Sequence, residues 1–255
     1  MEAKCLEGRV AIITGAGSGM GEAIAKLYAE KSIRVVVADI DENSVKRVVS
    51  DIEKIMPCVL GIKTDITKPD DLQNLIDKTL EKFGTIDILI NNAGILDNFM
   101  TVGDLDINLW QKVMDVNVKA PTMLSQLVIN FWLKEKKPGV IINTTSVGGM
   151  FGARGGVSYV SSKHAIIGLT KNIASVYRED NIRAVAVAPG GINTNIGNTL
   201  KKPNQKGMEA LTRYVAEGPT GEPADVANVI VFLASDEAKF INGTVVTVDG
   251  GWTGA

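Results

Sequence analysis

Short apolar runs recur along the chain at Val10–Thr14, Arg34–Asp39, Cys58–Lys63, Ile86–Ile90, Val140–Thr145, Ile182–Ala188 and Val245–Val248. Most are apolar throughout rather than alternating, the pattern of strands covered on both faces. Between them, apolar positions repeat with a helical period near 20–31, 42–54, 70–82, 107–133 and 158–178. A further helix over 224–234 follows Pro223, whose missing N–H suits a first helical turn. Strand–helix alternation of this kind predicts right-handed crossovers and a doubly wound α/β fold: a seven-stranded, mainly parallel sheet with helices on both faces. No repeat or composition break divides residues 1–255, so one domain is expected. Residues 191–222 depart from the pattern, with only a modest helix near 207–216. A long polar insertion in a compact fold is usually functional or mobile, and this one is expected to form a substrate lid.

The first strand runs directly into Gly15-Ala16-Gly17-Ser18-Gly19-Met20-Gly21 and then into a helical pattern. Glycines in that place allow a tight turn, let the backbone approach a pyrophosphate and let helix pack closely on strand. Free N–H groups at the helix start, aided by the helix dipole, then face the phosphates. Asp39 ends the second strand, where a carboxylate accepts hydrogen bonds from the adenosine ribose hydroxyls. A 2′-phosphate there would meet an anion. Ser18 in the loop is neutral and no Arg or Lys directly follows Asp39, so NAD is expected rather than NADP.

Composition removes several alternatives. The 27 basic and 29 acidic residues leave a net charge of −2 with no basic block, which argues against a nucleic-acid partner. The single histidine, His164, argues against a zinc site and against a Ser/His/Asp hydrolase, and no metal is expected. Two cysteines, Cys5 and Cys58, make no disulfide framework. The start MEAKCLEGR has no apolar signal core, and no apolar run reaches the ~18 residues of a membrane span. A cytoplasmic protein without a membrane partner is expected.

Further motifs follow in order. Asn91-Asn92-Ala93-Gly94 comes after the fourth strand, Ser146 after the fifth, Tyr159-x-x-x-Lys163 thirteen residues later, and Pro189-Gly190 at the end of the sixth with Thr194 beyond. With Thr14-Gly15-x-x-x-Gly19-x-Gly21, this order resembles the classical short-chain dehydrogenase/reductase family over the whole chain, through Val248-Asp-Gly-Gly-Trp252. The resemblance implies a single Rossmann-type domain in which Asn117, Ser146, Tyr159 and Lys163 form a catalytic tetrad. It also implies cofactor contacts from Gly15, Ser18, Gly19, Met20, Gly21, Asp39 and Ile40. Asp65 and Ile66 would contact adenine, and Asn91, Ala93 and Gly94 the adenosine and ribose side. Tyr159 and Lys163 would reach the nicotinamide ribose, and Pro189, Ile192 and Thr194 would hold the carboxamide. Two positions depart from the common pattern: Val185 replaces a frequent Asn, and Thr145 a frequent Ser, neither in the tetrad.

The chemistry of those side chains points the same way. Tyr159 and Lys163, four apart, share one helix face. A free phenol has a pKa of about 10, and a nearby ammonium is expected to lower it towards neutrality. Tyr159 could then exchange a proton with an alcohol or ketone, while Ser146 donates a hydrogen bond to the developing alkoxide. The pocket is expected between Ile95–Phe99, Val147–Phe151, the lid and Trp252, which suits a moderately apolar secondary alcohol or ketone as the small-molecule substrate. A 3-oxoacyl thioester reductase acting on acyl carrier protein is the alternative. Such enzymes usually present arginines where Asn130 and Ser175 stand here. A non-catalytic NAD-sensing protein is a remoter reading, since such proteins typically lose the Tyr/Lys pair. Wide apolar stripes on the 107–133 and 158–178 helices, which carry the dimer interface in similar proteins, lead us to expect a homotetramer. Finally, Pro121 offers no N–H to the carbonyl four residues back, that of Asn117, so the 107–133 helix should bend there. In similar enzymes the matching asparagine holds a water leading to the catalytic lysine, here Lys163.

Overall fold

The computed structural model describes residues 7–214 and 218–254. Cys5 and the extreme termini lie outside the described residues, as do 215–217 of the expected lid. Strand β1 (Val10–Thr14) leads through α1 (Gly19–Glu30), β2 (Arg34–Asp39), α2 (Glu42–Glu53), β3 (Val59–Lys63) and α3 (Pro69–Phe83) to β4 (Ile88–Asn91). Then come α4 (Ile107–Met114), α5 (Ala120–Glu135), β5 (Gly139–Thr144), α6 (Val157–Val176) and β6 (Ile182–Pro189). The chain closes with a short strand β7 (Gly191–Ile192), α7 (Gln205–Tyr214), β8 (Thr220–Gly221), α8 (Pro223–Ala234) and β9 (Val245–Val248).

Seven strands pair in the order β3-β2-β1-β4-β5-β6-β9, and every pairing is parallel. The continuous apolar runs are explained by the two cores. Ala11, Ile13, Val35 and Val37 pack beneath α1, α2 and α8 with Ile24, Val48 and Ile230. Val10, Ile12, Val36 and Ala38 point to the opposite face, towards α3 and α5, with Leu72, Leu124 and Trp132. Successive residues of one strand thus enter different cores, so each must be apolar. The strand order reverses between β1 and β4, which opens a crevice at the carboxyl ends of those strands.

Two local features differ from expectation. The predicted bend takes the form of a π-helical turn, Asp115–Lys119, between α4 and α5. There the Ala120 N–H reaches back five residues to the Asp115 carbonyl. Pro121 follows at once and cannot donate, so wider hydrogen bonding precedes the proline and the helix runs on to Glu135. Second, β7 and β8 form a separate two-stranded parallel ribbon within the 191–222 segment, which carries no apolar strand pattern. The segment is latched onto the loop after β4. The Asn204 N–H donates to the Asn98 carbonyl at 2.8 Å, the Lys201 N–H to Asn98 Oδ1 at 2.8 Å, and Asn204 Nδ2 to Asp104 at 3.0 Å.

Candidate active site

A cleft of about 650 Å³ opens over the carboxyl ends of β1, β4 and β5. At one end the glycine loop turns sharply. Gly15 has φ +64°, and a Cβ there would stand 2.9 Å from the Ala93 Cα. A Cβ at Gly21 would meet the Gly15 carbonyl oxygen at 2.1 Å. Glycine is therefore required for the turn itself at the first position and for close packing of α1 at the second. Ser18, the residue before α1, makes no side-chain cap, leaving the first N–H groups of the helix for a ligand. Asp39 stands beside this loop, Oδ2 accepting from the Gly17 N–H at 2.9 Å and Oδ1 from the Asp41 N–H at 3.0 Å. The nearest guanidinium, Arg47, bonds the Gly17 carbonyl at 2.8 Å but is clamped to both oxygens of Glu22 at 2.7 Å. That pairing holds the Glu22 carboxyl below its ordinary pKa.

Gly15, Ser18, Gly19, Met20, Asp39, Ile40, Asp65, Ile66, Ala93, Gly94, Ser146, Tyr159, Pro189, Ile192 and Thr194 line the cleft. Other expected residues sit behind its wall. Gly21 packs under the glycine loop. Asn91 is buried, its Nδ2 donating to Asn143 Oδ1 at 2.8 Å and Ser125 Oγ at 3.1 Å. Its neighbour Asn92 lines the cleft instead, and its Nδ2 donates to the Thr14 and Gly15 carbonyls at 3.1 and 3.3 Å. This ties the end of β4 to the glycine loop. Asn117 is buried too. Its Oδ1 accepts from the Ile95 N–H at 2.9 Å, and its Nδ2 donates to the Ile95 carbonyl at 3.0 Å and Ser162 Oγ at 3.1 Å. Asn117 Oδ1 and Lys163 Nζ both lie 3.4 Å from where a Gly94 Cβ would be.

Helix α6 brings Tyr159 and Lys163 onto one face, and both are buried. Lys163 Nζ donates to the Thr144 carbonyl at 3.0 Å and lies 5.5 Å from the centre of the Tyr159 ring. Ser146 Oγ accepts from the Gly148 N–H at 3.0 Å, which leaves its own hydrogen for a partner in the cleft. Thr145, one of the two departures from the family pattern, donates to the Lys163 carbonyl at 2.8 Å and so locks α6 to the end of β5. His164 lies on the exposed side of the helix, away from this cluster.

Burial is the largest influence and raises the Tyr159 pKa, a hydrogen bond with Ser146 lowers it, and the nearby Asp97 charge raises it. Burial also lowers Lys163 to about 8. A phenol raised above its ordinary value keeps its proton at neutral pH. For Lys163 the folded chain binds fewer protons than the unfolded chain between about pH 8 and the ordinary value of 10.5. Its burial penalty is therefore fully present below pH 8 and is relieved as pH rises through that window. Lys163→Met removes the penalty. Measured without cofactor, the stability difference should move in favour of the parent protein as pH rises from 8 to 10. A difference in Tm that stays flat over that range would contradict the buried, charged Lys163.

Asp97, Arg154 and Thr67 are among the residues that sequence reasoning did not single out. Asp97, buried in the loop after β4, accepts from the N–H groups of Gly156, Ser158 and Tyr159 at 3.0, 2.8 and 3.1 Å. Gly156 has no side chain to cap α6, so a carboxylate 59 residues away in sequence does so. Arg154 and Thr67 also line the cleft. A lone acid after Asn-Asn-Ala-Gly and a lone cation between glycine pairs were the available signals.

The model of the family described as enoyl-(acyl carrier protein) reductase matches residues 15–253. The chain belongs to the classical short-chain dehydrogenase/reductase family. It is 36% identical over 249 residues to 3beta-hydroxysteroid dehydrogenase 2 of Eggerthella lenta, covering 97% of this chain and 96% of that one. The solved structure of levodione reductase superimposes with a TM-score of 0.89 at 30% identity, covering 98% of this chain and 99% of the other. The 3-ketoacyl-(acyl-carrier-protein) reductase of Brucella melitensis complexed with NADH gives 0.86 at 31%, with 97% and 99% covered. As a member of this family the short-chain dehydrogenase/reductase is an oxidoreductase that uses a nicotinamide cofactor. The glycine turn, the uncapped start of α1 and the Asp39 carboxylate fit such a group. No described helix is long and apolar enough to cross a membrane, and no described cluster of His, Cys, Asp and Glu could hold a metal ion.

Proposed function

We propose that this enzyme interconverts a moderately apolar secondary alcohol and its ketone with NAD(H), using Tyr159 as the acid/base. The observation that carries the reading is the placement of the Tyr159 phenol and Ser146 hydroxyl in one cleft wall, with buried Lys163 behind them. The bound nicotinamide supplies or takes the hydride. In reduction, Tyr159 gives its proton to the carbonyl oxygen while the Ser146 hydroxyl donates a hydrogen bond to that same oxygen. In oxidation, the phenolate takes the proton back, and the Lys163 ammonium 5.5 Å from the ring stabilises that phenolate. Asn117, beside Lys163 at the π-turn, belongs to the route by which water replaces the proton. Ile95, Leu96, Phe99, Val147, Ile196 and Leu211 make the substrate end apolar, and the last two belong to the 191–222 lid.

For the cofactor, Asp39 and the engagement of Arg47 by Glu22 support NAD: the guanidinium that bonds the Gly17 carbonyl is already paired with a carboxylate. With any accepted alcohol, kcat/KM should be higher with NAD than with NADP. Asp39→Ala should lower the NAD value about tenfold or more, the worth of hydrogen bonds to a charged group, and so narrow the gap. Equal efficiency in the parent enzyme would overturn the NAD assignment. The second reading, a 3-oxoacyl thioester reductase, is favoured by the similarity to the Brucella protein. Against it, Asn130 and Ser175 are exposed and uncharged where a basic side chain would meet a carrier protein. We place the enzyme in the cytoplasm as a homotetramer. The wholly exposed Phe240 ring, and Val176 at 57% exposure on the end of α6, support burial between copies.

A further inference from the structure

Arg154 lines the cleft between Gly152-Ala and Gly155-Gly156, on the loop that joins Ser146 to Tyr159. Its stem and the Tyr159 ring are neighbours: a Cβ at Gly148 would lie 3.5 Å from the Arg154 Cβ and 3.4 Å from Tyr159 Cε1. The guanidinium carbon lies 4.7 Å from the centre of a Trp252 ring, a cation–π contact that holds the side chain at this wall. Trp252 is itself seated on the backbone at Gly190 and Gly218, where added Cβ atoms would come within 3.4 and 2.9 Å of its ring. The Arg154 Nε is buried and has no hydrogen-bond partner, and no carboxylate among the described residues lies within ion-pair distance of the side chain. Ile95, Leu96, Phe99, Val147 and Leu211 line the same cleft and are apolar, beside the Ser146 and Tyr159 hydroxyls.

A partly buried guanidinium with an unsatisfied donor is costly unless an anion completes it. The phosphates of a dinucleotide are met at the far end, by the glycine loop and the start of α1, and so do not account for this charge. We infer that Arg154 is a specificity-determining residue that binds a carboxylate on the substrate, making the preferred substrate an oxo or hydroxy acid with an apolar body. The inference rests on the alcohol/ketone reading of the site but is tested apart from it. The flat guanidinium held against Trp252 presents its N–H edge for a two-point bond to a planar carboxylate. The apolar side chains of the cleft then cover the carbon skeleton, and the carbonyl carbon falls beside Tyr159.

The test uses ligands that cannot react. Calorimetric titration of the NAD-saturated enzyme compares cyclohexanecarboxylate, its methyl ester and cyclohexyl phosphate. The carboxylate should bind about tenfold or more tightly than the ester, as a charge-assisted bidentate pair requires. Arg154→Gln should abolish that preference with ester binding unchanged, and Arg154→Lys should keep part of it. Equal binding of acid and ester, binding of neither, or an undiminished preference in Arg154→Gln would overturn the inference. So would tighter binding of the phosphate, which would indicate a phosphate-bearing substrate. An Arg154→Gln enzyme that weakens acid and ester alike would show Arg154 to be only a prop for Trp252. Turnover of 4-oxocyclohexanecarboxylate against its methyl ester is read separately. Loss of all ketone reduction would refute the hydride-transfer reading while leaving the binding result standing.

Discussion

Tyr159→Phe should cut turnover by about 10²-fold or more in both directions while cofactor affinity changes within about twofold. The substitution keeps the ring, which is buried and packs beside Gly148 and Gly155, and deletes only the hydroxyl that carries the proton. Ser146 would remain able to polarise the carbonyl oxygen, since its Oγ is held by the Gly148 N–H at 3.0 Å and not by the phenol alone. Residual activity is therefore expected. The measurement is steady-state kinetics of ketone reduction and alcohol oxidation beside a titration of NADH fluorescence. Turnover within tenfold of the parent would remove Tyr159 from the proton step.

The second large effect is expected at Asp97. Its carboxylate satisfies the first N–H groups of α6, the helix that carries both Tyr159 and Lys163. Asp97→Ala would leave three buried donors without an acceptor and remove a favourable charge from the helix start, a loss of about 3 kcal/mol. Urea denaturation of the cofactor-free protein measures it, and a loss under about 1 kcal/mol would contradict the capping role. Asp97→Asn removes the charge and keeps one accepting oxygen, at the loss of the bonds made by the other. The Asp97 charge raises the Tyr159 pKa, so its removal should move the alkaline limb of the ketone-reduction profile, where the phenol loses its proton, to lower pH. A cap that acted only on stability would leave that limb in place.

Much of the architecture was legible because both faces of the sheet are covered. Val10 to Thr14 feed two separate cores, so the strand reads as an unbroken apolar run with no competing period. The glycine turn was legible for a similar reason: Gly15 and Gly21 are sites where backbone geometry and contact distance admit no side chain. The spacing of Tyr159 and Lys163 identified a shared helix face, but not its burial, and burial is what sets both pKa values. Asn91 and Asn92 could not be told apart in the sequence. Which one faces the cleft depends on where β4 ends, one residue beyond the apolar run that marks it. The π-turn was half visible, since Pro121 announces a missing N–H but not which neighbour absorbs the irregularity. Asp97 and Arg154 act across 59 and 98 residues of sequence, on α6 and Trp252, so no local pattern shows their partners. The β7–β8 ribbon comprises two residues per strand, too short to carry a period.

In the proposed reaction a hydride passes in this cleft between a nicotinamide and a carbinol carbon, with the proton travelling separately through Tyr159. The direct measurement incubates the enzyme with NADH deuterated at the transferring C4 position and a panel of cyclic ketones, then locates the label by mass spectrometry and proton NMR. One deuterium is expected on the carbinol carbon of the product alcohol, with no solvent hydrogen transferred to that carbon. Absence of alcohol from every ketone, or a carbinol carbon that carries hydrogen from solvent, would contradict it.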